Sequence, residues 1–134
     1  MLVLDAEGLV KLASGNAVAR SYFEDARDAR GAIVAAASTL TEVLRGGRRD
    51  VPVYRILSKV TIIPIDAAKA KAAGELLGRT GLSGHRCALD ALVAAVALAQ
   101  PRPVVLLTSD TKDMHRLTEE PGRSSRERVA VIRI

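Results

Sequence analysis

Short apolar runs alternate with stretches of helical periodicity along the whole chain. Leu2–Leu4, Ala32–Ala36, Val60–Ile65, Val104–Leu107 and Val129–Ile134 are brief, mostly apolar and bounded by charged residues, Gly or Pro, which reads as five short strands. Between them lie helical patterns. Ala17–Ala29 carries Arg20, Glu24, Asp25, Arg27 and Asp28 on a solvent side, and Ser38–Arg45 is closed by Gly46 and Gly47. Val51–Leu57 forms another short helix. Asp66 caps one that runs to about Gly78, followed by a loop with Gly81 and Gly84. A helix over Arg86–Ala99 is stopped by Pro101 and Pro103; Thr111–Leu117 is the last, and Glu120–Arg126 is a loop. Strands alternating with helices predict an α/β fold on a parallel sheet.

One position breaks the pattern. In Cys87–Ala99, CALDALVAAVALA, Asp90 is the only polar side chain. A helix apolar on every side is normally buried, and an ionised carboxylate there is costly unless it is paired or binds a metal. The ordinary alternative is a place in the first turn, where the helix dipole favours an anion.

Other acids lie where such a fold would gather them. Ligands of open α/β sheets bind beyond the carboxyl ends of the strands. Asp5 directly follows the first strand, Glu42 lies on the helix after the second, and Asp110 comes three residues after Leu107 at the end of the fourth. Each has a structural use of its own. Thr39-x-x-Glu42 matches a capping box, Asp110 with Asp113 matches another, and Asp5 can end a strand. A single cause covers them all. Crowded carboxylates must protonate or bind cations, and hard oxygen ligands suit Mg²⁺ or Mn²⁺, ions that polarise a phosphoryl oxygen and activate water. Competing chemistry is thin. His85 and His115 read as surface residues, and Ser38, Thr108 and Ser109 have no evident base partner. Gly81–Gly84, GLSG, lacks the pattern of a phosphate loop.

Composition narrows the classes. The 134 residues suffice for one domain, 1–134, with a real core, and 49% hydrophobic with 26% charged is an ordinary globular balance. Aromatics are 2%, so the core is aliphatic and base stacking has few platforms. Cys87 is the only cysteine and reads as a buried structural thiol without a disulfide or zinc motif. No apolar run is long enough to span a bilayer. No basic segment precedes the apolar Met1–Leu4, so a signal peptide is not expected and the cytoplasm is the natural compartment. The net charge of +5 and the 15 arginines favour a polyanionic partner weakly, since arginine and alanine also accumulate in GC-rich genomes.

These residues together resemble the PIN-domain ribonucleases, and within them the VapC-type toxins of VapBC toxin–antitoxin systems. The resemblance spans essentially the whole chain. LVLDAEGLVKL places Asp5 at the family's first acid, STLTEVLRG places Glu42 at the second, and LDALVAAVALA places Asp90 at the third. VVLLTSDTKDM fits the last block, where Asp110 is the favoured acid and Asp113 a further one, with Met114 where an aromatic is frequent. Glu7 reads as a solvated loop acid.

The resemblance implies a PIN-like three-layer fold, with a central parallel sheet of about five short strands flanked by helices. It implies an endoribonuclease with Mg²⁺ or Mn²⁺ at Asp5, Glu42, Asp90 and Asp110, Asp113 adding a ligand, and cleavage of structured RNA such as tRNA or rRNA. A VapB-like antitoxin and a homodimer are implied as partners. Thr108 and Ser109 are candidate substrate contacts, as are the basic Arg45, Arg48 and Arg86; Arg49 adjoins the first group, and Arg123, Arg126 and Arg128 form a second. Two rivals make different demands. A phosphotransfer domain needs a Lys after a late strand, and Lys112 lies beyond Asp110. A binding scaffold without activity would lack one of the main acids, and none is missing.

Overall fold

In the computed structural model, which describes residues 1–134, the first strand, β1 (Leu2–Leu4), lies at the middle of the sheet. It pairs with β2 (Ile33–Ala36) on one side and β4 (Val105–Thr108) on the other. The outer strands are β3 (Thr61–Ile63), beside β2, and β5 (Ala130–Arg133), beside β4. The order is β3-β2-β1-β4-β5 and every pair is parallel.

Helices cover both faces. Helices α1 (Ala6–Ala13), α2 (Ala17–Asp28) and α4 (Val51–Leu57) enclose one core, in which Leu2, Leu4 and Leu107 meet Leu9, Leu12, Phe23 and Val53. Helices α5 (Ala67–Thr80), α6 (Gly84–Leu98) and α7 (Thr111–Leu117) enclose the other, in which Val3, Val34 and Leu106 meet Ala73, Val93, Val96 and Met114. Side chains alternate between the faces, so β1, β2 and most of β4 are apolar throughout because both faces are covered. Helix α3 (Ala37–Val43) follows β2 without a loop and packs against α1 and α6. No helix is long and apolar enough to cross a membrane. This is the three-layer α/β architecture expected.

Three local readings change. Helix α1 was not expected after Asp5, and Glu7 lies in its first turn rather than in a loop. Helix α3 begins at Ala37, with Ala36 as its cap residue and no side-chain cap bond, so Thr39 is inside the helix and the Thr39–Glu42 capping box does not form. Helix α6 begins at Gly84, capped by the Ser83 hydroxyl accepting from the Arg86 amide. It is not buried on every side: Ala88 and Leu89 face solvent, Ala91 is buried, and burial is unbroken over Val93–Ala97. Asp90 therefore sits at the boundary between the exposed and buried parts of the helix.

Candidate metal centre

The chain leaves β1 toward β2 on one side, and β4 enters on the other, so the point where strand order reverses lies between β1 and β4. Such a point opens a crevice at the carboxyl ends of the strands. Leu4 pairs with Leu107 there, which sets Asp5 level with Thr108. Asp5 is buried, and its Oδ1 accepts the Gly8 amide at 2.7 Å as the N-cap of α1. Thr108 is fully buried; its hydroxyl accepts the Asp110 amide at 3.0 Å and is hydrogen-bonded to the Asp5 carboxylate. One hydroxyl thus joins the acids that follow β1 and β4. Burial pushes the Asp5 carboxyl above its usual range, against the opposing effect of the Thr108 and Gly8 bonds.

Asp110 caps α7, its Oδ1 accepting the Asp113 amide at 3.2 Å. Its capping role and its place at the site coexist. Asp90, from α6, closes the group: oxygens of Asp90, Asp110 and Asp113 lie within 4.8 Å of one another. That is close to the span of oxygens on opposite sides of a hard divalent cation, about 4–5 Å. An all-oxygen donor set without histidine fits Mg²⁺ or Mn²⁺ rather than a softer ion. Asp90 is pushed up to about 6, by burial first and then by Asp110, Asp5, Glu42 and Asp113.

Glu42, in the last turn of α3, is exposed as a residue, yet its carboxyl is raised by partial burial and by the charges of Asp5 and Glu7. The expected acids therefore share one field, with Asp90, Asp110 and Asp113 as its tight core and Asp5 and Glu42 beside it. A site so charged repels phosphate until cations neutralise it.

The chain matches the PIN domain family over residues 2–120. It belongs to the PIN domain family. Solved structures repeat its fold. VapBC2 of Rickettsia felis, bound to a promoter DNA fragment, superposes with a TM-score of 0.71 at 19% identity, covering 99% of this chain and 98% of that one. A toxin–antitoxin complex from Klebsiella pneumoniae gives 0.63 at 26% identity, covering 84% and 89%. FitAB bound to the IR36 DNA fragment gives 0.63 at 17% identity, covering 99% and 94%. No curated protein matches the chain.

The remaining candidates of this PIN domain are distributed unevenly. Ser109 is half-buried beside Thr108. Arg48 and Arg49 are exposed in a 3₁₀ turn, Arg48–Asp50, and Arg86 is exposed one turn before Asp90. Arg45 has a local use: its guanidinium donates to the carbonyls of Thr41, Glu42 and Leu44 at 2.8–3.0 Å, closing the end of α3. Two residues escaped the sequence reading. Buried Asp50 accepts the Arg45 and Gly46 amides and fixes the basic loop after Glu42. Gly8 is the other; a Cβ there would lie 2.9 Å from the Leu107 carbonyl oxygen, and nothing in the sequence pattern announces that approach. Cys87 is buried as expected, with its thiol 3.9 Å from Asp113 Oδ2.

Proposed function

We propose that this PIN domain, read as one domain over 1–134, is a divalent-metal-dependent endoribonuclease and the toxin of a toxin–antitoxin pair. The observation that carries the reading is the convergence of Asp90, Asp110 and Asp113 from α6 and α7 beside Asp5 and Glu42. Asp90, Asp110 and Asp113 would hold Mg²⁺ or Mn²⁺, with Asp5 adding a ligand and Glu42 charge at the rim. When bound, such a cation supplies charge neutralisation and Lewis acidity toward a phosphodiester.

The protein's own groups do the rest. Thr108 fixes Asp5 and Asp110 relative to each other. Gly8 orients the Asp5 carboxylate through its amide. The exposed Arg48 and Arg86 would take substrate phosphates, Arg45 and Ser109 being secondary candidates. RNA such as tRNA or rRNA is the substrate and arrest of translation the consequence, with a homodimer in the cytoplasm as the working form. The Klebsiella pneumoniae neighbour is a toxin–antitoxin complex, and that likeness supports a VapB-like antitoxin as partner.

The test is incubation of purified, antitoxin-free protein with total cellular RNA in Mg²⁺ or Mn²⁺, with EDTA, and with Asp90→Asn alongside. Discrete fragments that vanish with EDTA and in the variant are expected. Intact RNA under every condition, from protein shown to be folded, would remove the nuclease reading and leave a binding scaffold.

A further inference from the structure

We propose that the outer face of α7 and the edge strand β5 is a track for the RNA backbone, running away from the acidic centre. The proposal rests on the ribonuclease reading and adds where the substrate lies. Lys112, His115 and Arg116 are all exposed on α7, and their spacing of three and four places them in one stripe. Lys112 lies between Asp110 and Asp113 in sequence, so the stripe starts at the acids.

Strand β5 adds a second row. Val131 packs into the core under α5, α6 and α7. Side chains alternate along a strand, so Arg133, two residues on, points to the α7 side. It is exposed and pairs in register with Thr108, at the level of the acidic centre. At the far end, Arg128 joins His115 and Arg116 in lining a cleft of about 310 Å³, where Glu119 is the one acid.

Lys112, Arg116, Arg128 and Arg133 are not held in ion pairs, whereas Arg102 and Arg123 are both taken by Glu120. A line of free cations leading out of a phosphodiester-cleaving centre matches a strand whose phosphates repeat at regular intervals. The absence of aromatics along it points to backbone contacts without base readout.

The test uses labelled single-stranded RNA and the full chain carrying Asp90→Asn, so that the probe survives. Binding is followed by fluorescence anisotropy across a salt series. Lys112→Gln, Arg128→Gln and Arg133→Gln are added together; Arg116 is left in place because it ties α7 to the Thr80 carbonyl at the end of α5, whereas the bond of Arg128 to the Arg123 carbonyl stays within one exposed loop. Arg20→Gln on α2, Arg55→Gln on α4 and Lys59→Gln just after α4, all exposed on the opposite face of the sheet, form a control of equal net charge.

Each lost phosphate contact lowers the slope of log affinity against log salt by about 0.7 for a single strand, so the triple variant is expected to lose about 2. The control is expected to keep the parental slope. An unchanged slope in the triple variant, or an equal fall in the control, overturns the track while leaving the ribonuclease reading in place. A parent that binds no RNA at any salt overturns both.

Discussion

The Gly8 amide donates to Asp5 Oδ1 at 2.7 Å because the first turn of α1 lies against the carbonyl of Leu107. A Cβ at position 8 would stand 2.9 Å from that carbonyl oxygen and 3.3 Å from Asp5 Oδ1. Neither neighbour is a flexible side-chain end, since one is backbone in β4 and the other a buried carboxylate. The absence of a side chain at Gly8 therefore sets how Asp5 is presented.

Gly8→Ala should consequently act against helix propensity. Alanine favours a helix over glycine by about 1 kcal/mol, yet the overpacking here should cost about 1–3 kcal/mol. Chemical denaturation is expected to show a net loss of stability, and calorimetric titration a weaker affinity for Mn²⁺. A variant more stable than the parent with unchanged Mn²⁺ binding would show that α1 can withdraw from β4 without consequence.

The position of Asp90 in pH follows from its neighbours. Its carboxyl is raised from 3.8 to about 6, with burial the largest cause and Asp110, Asp5, Glu42 and Asp113 adding repulsion. A raised carboxyl pKa means that the folded state holds the proton more tightly than the unfolded chain. The associated stability is complete below about 3.8 and is lost as pH rises through about 6. Two outcomes are expected of the metal-free protein. Asp90→Asn should be more stable than the parent at pH 7.5, with the difference shrinking as pH falls below 6. Mn²⁺ affinity of the parent should rise from pH 5 to 7, with proton release visible as a dependence of the binding enthalpy on buffer. A flat affinity over that range would place the titrating group elsewhere.

Much of this was legible because strand ends and acids coincide in sequence. The runs Leu2–Leu4 and Val104–Leu107 end next to Asp5 and Asp110, and β1 and β4 being neighbours makes the coincidence spatial. Asp90 stood out because a lone carboxylate in an apolar run needs a cause. The strand order itself was hidden: five runs of similar character carry no record of which pairs with which. Helix α1 was hidden because Asp5, read as a site acid, is also its N-cap, and Gly8 weakens the helical signal. The Thr39–Glu42 spacing misled for a physical reason. Backbone geometry, not side-chain spacing, starts α3 at Ala37, which leaves the fully buried Thr39 hydroxyl without a partner and puts Glu42 in the last turn, at the rim of the acidic centre. The polar group at Thr108 was visible as a candidate substrate contact, but its burial and its two bonds direct it inward.

That inward direction separates two roles for Thr108. A hydroxyl that touched substrate would matter for substrate affinity; one that joins Asp5 to Asp110 should matter for the acids themselves. Thr108→Val keeps the shape but leaves the Asp110 amide without its 3.0 Å acceptor and deprives buried Asp5 of a hydrogen bond that lowers its pKa. An unsatisfied buried group costs about 1–3 kcal/mol, so the variant should be less stable by that order, and its loss of Mn²⁺ affinity relative to the parent should be larger at pH 6 than at pH 8, as Asp5 holds its proton to higher pH. Thr108→Ser retains the hydroxyl and should restore Mn²⁺ affinity even where the lost methyl lowers stability. Comparison of Mn²⁺ titrations at the two pH values for the three proteins decides the matter. If valine and serine impair binding alike, the methyl and its packing hold the centre together rather than the hydroxyl bridge between the two strands.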